Sequence, residues 1–187
     1  MNHPELFIIP AMMLADYFLT VWGAILSEKK YQQHFKIENY ELNPLWQKSI
    51  AQKKWFNPKH LAIVALVIGI CFIWSDGWTG SDPLSDGLFG FLAVFFASVI
   101  GTHLANILTF SFLIRNPESI SGEVKMSQPL LLCISQFRVL GFFYILIVLA
   151  IFSPTPFIIG GLCSQIVFLS VKLVWLAKAR AAERKKI

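Results

Sequence analysis

Residues 6–27, LFIIPAMMLADYFLTVWGAILS, form an apolar run broken near its centre by one carboxylate, Asp16. At a rise of ~1.5 Å per residue, a helix of this length crosses a hydrocarbon core of ~30 Å. An ionisable side chain at that depth costs at least ~2.5 kcal/mol, so it is expected to face protein and to have a partner. The rest of the chain must supply that partner.

Of 187 residues, 56% are hydrophobic and 14% charged, with a mean hydropathy of +0.61. Soluble domains carry about 25% charged residues, which puts this chain in the membrane class. The expected architecture is an all-α integral membrane protein, a single domain over residues 1–187. It comprises a bundle of five transmembrane helices plus one interfacial amphipathic helix. The start, MNHPE, has no basic n-region, so the first apolar run reads as a retained span rather than a signal peptide. Cys71, Cys133 and Cys163 sit at unrelated spacings inside apolar runs, without a C-x-x-C, and read as small packing residues.

Two matching helix starts follow the first span, Leu42-Asn43-Pro44 and Phe56-Asn57-Pro58. Asn at the N-cap satisfies one orphan N–H, and Pro at the first helical position omits another. The first start opens a short segment, residues 44–53, with Leu45, Trp46, Ser49 and Ile50 on one side, expected to lie in the membrane interface. The second opens span two, residues 58–75. The turn-rich acidic loop DGWTGSDPLSD, residues 76–86, leads to span three, residues 87–114. There Ala93, Ala97, Gly101 and Ala105 recur every four residues, a stripe that would let another helix approach closely. His103 lies on roughly the opposite face with Phe96, Val99, Asn106 and Phe110. Spans four and five, residues 129–152 and 157–177, are joined by a tight SPTP turn, and the tail after them is basic.

Charge asymmetry sets the expected orientation. The loop 28–59 holds seven lysines, the loop 115–128 holds Arg115 and Lys125, and the tail holds five basic residues. The alternate connections hold no Lys or Arg. This places the N-terminus outside and the C-terminus in the cytoplasm of an inner membrane, and it requires an odd number of spans. The basic residues flank apolar spans, where orientation explains them, so no nucleic-acid partner is implied.

Arg138 lies ten residues, ~15 Å, into span four, at a depth comparable with Asp16. His103 and Gln165 fall within a turn or two of that level, while Lys172 is expected to snorkel to the cytoplasmic face. Arg stays charged, and Asp16 is the carboxylate within a span, so an Asp16–Arg138 pair is expected, with His103, Asn106 and Gln165 nearby. Such a pair is either a structural pin between helices or part of an ion, proton or ligand site. Asp16 and Thr20, four residues apart, share one helix face. His103-x-x-Asn106 offers one imidazole and one amide, too few ligands to imply a metal, and no cofactor is legible. No G-x-S-x-G, H-E-x-x-H or paired-aspartate pattern points to an enzyme.

Asp16-Tyr-Phe-Leu-Thr20, followed by Glu41-Leu-Asn43-Pro44, resembles a group of small, functionally uncharacterised prokaryotic membrane proteins. These carry D-x-x-x-T in the first span and E-L-N-P in the following loop. The resemblance covers about the first sixty residues, Lys59 included. It implies no activity, but it does imply that Glu41 and Asn43 belong with Asp16 and Thr20 in one functional set. From the residues alone, Asn43 reads as a helix cap and Glu41 either folds back on it or approaches the end of span one. The site candidates are thus Asp16, Thr20, Glu41, Asn43, His103, Asn106, Arg138 and Gln165. Their use would be ion, proton or small-ligand binding or translocation. The alternatives are a non-catalytic subunit of a larger membrane complex and, third, an intramembrane enzyme. The expected partners are the lipid bilayer, and other membrane subunits or a second copy of the chain.

Overall fold

The computed structural model describes residues 5–29, 31–37, 40–43, 45–77 and 82–184. Four helices are long and apolar enough to cross a membrane: α1 (Glu5–Lys29), α5 (Pro83–Arg115), α6 (Gln128–Phe152) and α7 (Pro156–Arg184). A further apolar helix, α4 (Pro58–Gly77), spans twenty residues. Short helices α2 (Tyr31–His34) and α3 (Gln47–Ala51) lie in the connection between α1 and α4.

The helix starts share one local chemistry. Asn57 Oδ1 accepts from the N–H groups of Lys59 and His60 at 3.1 and 3.4 Å, just before Pro58. Asp82 accepts from Leu84 N–H before Pro83, and Thr155 accepts from Ile158 N–H before Pro156. Each pairs a side-chain acceptor with a proline that has no N–H to satisfy. The Asp82 cap explains why the third span begins four residues before the expected boundary at 87, inside the acidic loop, of which residues 78–81 lie outside the described residues. The basic tail, rich in Ala, Lys and Arg, continues α7 to Arg184 rather than leaving the helix at 177.

The helices pack in the order α4, α1, α5, α7, α6, with α5 at the centre. Ile9, Met13 and Val64 join α1 to α4, with Phe89, Leu92 and Phe96 of α5 packed against them. The α5–α7 contact is made by glycines that the expected alanine stripe does not include. A Cβ on Gly90 would overlap the Phe157 backbone, and one on Gly160 would overlap the Gly87 carbonyl, so the two backbones touch. Ala97 and Ala105 of the expected stripe are exposed instead.

The all-α expectation needs one amendment. β1 (Phe35–Ile37) pairs in parallel with β2 (Val124–Met126), tying the loop after α1 to the loop after α5. His34 Nδ1 lies 2.9 Å from the Gly122 carbonyl and Lys36 lies 3.6 Å from Glu123, both across the same seam. The expected interfacial segment, residues 44–53, is helical over Gln47–Ala51, and Pro44 lies outside the described residues. Its apolar side is divided: Ile50 is buried with Tyr17, Val21 and Ala24 of α1 and Trp46 packs against them, whereas Leu45 is exposed.

Candidate functional site

The Asp16–Arg138 pair does not form. Asp16 Oδ1 lies 3.1 Å from His103 Nε2, whereas Arg138 Nη1 donates to Asn106 Oδ1 at 2.9 Å. Comparable depth is not enough to pair them, because α6 does not pack on α1. In the packing row α5 and α7 both lie between α1 and α6, and two residues one turn apart on α5 take the two contacts, His103 with Asp16 and Asn106 with Arg138.

Thr20 completes the first of these contacts. Its hydroxyl donates to the Asp16 carbonyl at 2.7 Å, a bond back to the preceding turn. Its oxygen is then left to accept from His103 Nε2, 2.9 Å away. That network assigns the proton to Nε2, where it is shared between the Thr20 hydroxyl and the Asp16 carboxylate. The opposite ring nitrogen, Nδ1, is buried and has no hydrogen-bond partner among the described residues. An unpartnered buried ring nitrogen is a lone pair when the imidazole is neutral and a second donor when it is charged.

The loop between α1 and α4 turns back under this cluster. Tyr40 places its hydroxyl against α1 at Gly23, in space that any side chain at that position would fill. Its ring packs near Phe110 of α5, as does Tyr31, whose ring centroid is 4.7 Å from that of Phe110. Burial pushes the Tyr40 hydroxyl well above its ordinary pKa, and the nearby Asn106 amide only partly opposes this. The amide falls short of a full hydrogen bond, and Tyr40 Oη has no partner among the described residues.

Glu41 follows directly. Its carboxylate accepts from Asn43 N–H at 2.6 Å, and Asn43 in turn accepts from Leu45 N–H at 3.1 Å. Asn43 therefore closes a local turn, but it is not the N-cap of the expected helix 44–53: α3 begins at Gln47, with Trp46 at its N-cap. Burial raises the Glu41 carboxyl above the usual carboxylate range; the Asn43 N–H and His103 pull it down, and Asp16 pushes it up. Glu41 is thus within electrostatic reach of Asp16 and His103, so the D-x-x-x-T face and the E-L-N-P loop converge.

Gln165 does not belong to this group. It is fully buried on the α7 side of α5, donating to Ser98 Oγ at 3.0 Å. Lys172 does not snorkel: it is 8% exposed, donates to the Ser135 hydroxyl of α6 at 3.0 Å, and sits over the Phe168 ring. His60, near the start of α4, is buried, with its ring stacked on Tyr17 at 4.6 Å and Nε2 3.2 Å from the Met13 carbonyl. The spacing of His60 from its own N-cap held no hint of this, because the contact is with another helix.

Among the described residues no three His, Cys, Asp or Glu side chains are grouped to hold a metal ion. Chemically the arrangement offers a contacting Asp16–His103 pair from two apolar helices, with Glu41 of the loop within electrostatic range of both. No family model, no curated protein and no solved structure matches the chain.

Proposed function

We propose that this chain is an inner-membrane protein that binds a proton or small cation at Asp16, His103 and Glu41 and passes it across the bilayer. The observation that carries this reading is the 3.1 Å contact of His103 with Asp16 inside two apolar helices. Ionisable groups at such depth mark proton or ion paths by default, because burying them without use is costly. The free Nδ1 of His103 supplies a second proton-bearing atom on the same ring. Glu41, with its raised proton affinity, supplies the step toward the loop side. In the proposed topology α4 is the fifth span, at twenty residues or ~30 Å, with the N-terminus outside and the loops joined by β1 and β2 in the cytoplasm.

The test is proton flux into liposomes holding the purified protein and a pH-sensitive dye, driven by a potassium diffusion potential. Flux above that of protein-free vesicles is expected, falling to the protein-free level in Asp16→Asn and His103→Gln. Equal flux in wild type and both variants, with the variants folded, would refute the reading.

A second reading, a non-catalytic subunit of a larger complex, is favoured by the packing order. α4 and α6 stand at the two ends of the row, each packed mainly on one neighbour. A stoichiometric protein partner recovered in mild detergent, together with absent flux, would favour it.

A further inference from the structure

Once Asp16 is committed to His103, two cations inside the apolar helices have no carboxylate partner among the described residues. None of the ion pairs among the described residues includes Arg138 or Lys172. Lys172 is held by a neutral hydroxyl and a ring face, and Glu41 acts on it only from beyond ion-pair distance. The two cations share one side of α6, since Ser135, which holds Lys172, is three residues from Arg138. Arg138 is exposed and ~15 Å along α6 from its first residue, Gln128. Of its five N–H groups, the described structure engages one, through Asn106. A guanidinium keeps its charge at any accessible pH, and among the described residues no carboxylate pairs with it, which leaves its fork open to an anion from outside the chain.

The surroundings restrict what that counter-charge is. The free part of the planar fork matches the oxygens of a phosphate, and Asn106 fixes its orientation from the side of α5. Along α6 the residues flanking Arg138 are apolar and open: Ile134, Phe137 and Phe142 are 40%, 68% and 43% exposed. An aqueous anion has no reason to sit among them, whereas the chains of an amphiphile do. We propose that Arg138, oriented by Asn106 and backed by the charge of Lys172, binds the phosphate group of an anionic amphiphile on the α5–α6 face. This site does not rest on the proton reading: Arg138 and Asn106 carry it, and that reading uses neither.

The experiment is thermal unfolding of the detergent-purified chain with added phosphatidylglycerol, phosphatidylcholine or inorganic phosphate, in wild type and Arg138→Gln. Phosphatidylglycerol is expected to stabilise the wild type more than phosphatidylcholine does. The concentration giving half of that effect should rise ~10-fold or more in Arg138→Gln, the scale for losing a hydrogen-bonded charge. The same Arg138-dependent response to inorganic phosphate in place of the lipid would support the phosphate chemistry and assign it to an aqueous source. Equal responses to both lipids, or an undiminished response in Arg138→Gln, would overturn the proposal, because binding would then come from the basic loops. Should Arg138→Gln fail to fold, Asn106→Leu takes its place: it frees the guanidinium and should weaken the phosphatidylglycerol response, and an unchanged response overturns the proposal.

Discussion

His103 Nε2 lies 3.1 Å from Asp16 Oδ1 and 2.9 Å from Thr20 Oγ1, so one ring nitrogen ties α5 to two successive turns of α1. Both side chains of this contact are largely withdrawn from the surface, at 14% and 24% exposure. Removing His103 leaves the Asp16 carboxylate without that partner in an apolar setting, and removing Asp16 leaves His103 with Thr20 alone. Asp16→Asn and His103→Gln should each lower stability by ~1–3 kcal/mol. The double variant should lose less than the sum, by at least ~0.5 kcal/mol. Thermal unfolding in detergent across the cycle measures this, and strictly additive losses would show that the two residues are not coupled.

Thr20 is 5% exposed and serves as donor to α1 and acceptor from α5. Thr20→Val keeps the shape and removes both bonds, with an expected loss of ~1–2 kcal/mol. Thr20→Ser keeps the hydroxyl and should lose less than the valine variant. The reverse ranking would mean that methyl packing, not the hydrogen bond to His103, is what the position supplies.

The two backbones of α5 and α7 touch at Gly87, Gly90, Phe157 and Gly160. Gly160→Ala or Gly90→Ala must push the helices apart, and a loss of at least ~2 kcal/mol is expected from the disrupted packing. Gly69 of α4 has open space where a Cβ would stand, with nothing within 4 Å. Gly69→Ala should therefore be neutral or gain ~0.5–1 kcal/mol from helix propensity. Equal effects at the three sites would argue against close α5–α7 contact.

Glu41 has its proton affinity raised by burial, with Asp16 adding to the shift and the Asn43 N–H and His103 opposing it. A carboxyl whose folded pKa exceeds its unfolded value binds protons more readily when folded. The stability it contributes is therefore complete below the unfolded pKa and is lost as pH rises toward the folded one. Wild type should weaken over that window relative to Glu41→Gln, whose amide cannot titrate. Midpoints measured against pH for both proteins check this, and parallel curves would contradict the buried placement of Glu41.

Orientation can be read with single cysteines in a background lacking Cys71, Cys133 and Cys163. A cysteine at Ser153, in the turn between α6 and α7, should react with an impermeant thiol reagent added outside intact cells. One at Lys36, beside β2, should react only after permeabilisation. Labelling of both from the same side would refute the proposed arrangement of loops.

Four long apolar helices and the Asn57–Pro58 start of α4 were legible from order along the chain, whereas the Asp82–Pro83 start of α5 was not. Each depends on local rules: hydrophobic length against bilayer thickness, and an acceptor against a free N–H. The partner of Asp16 was not legible, because depth along a helix says nothing about which helix stands beside it. That was decided by the packing order, in which α5 and α7 lie between α1 and α6, and α5 gives His103 to Asp16 and Asn106 to Arg138. The same holds for Lys172 on Ser135 and for the β1–β2 seam, whose three-residue strands are too short for a period to show in sequence. Glu41 lies between these cases: its motif marked it beside Asp16 and Thr20. Its burial near His103 arises only because Tyr40 seats the loop against Gly23, a contact between segments far apart in sequence.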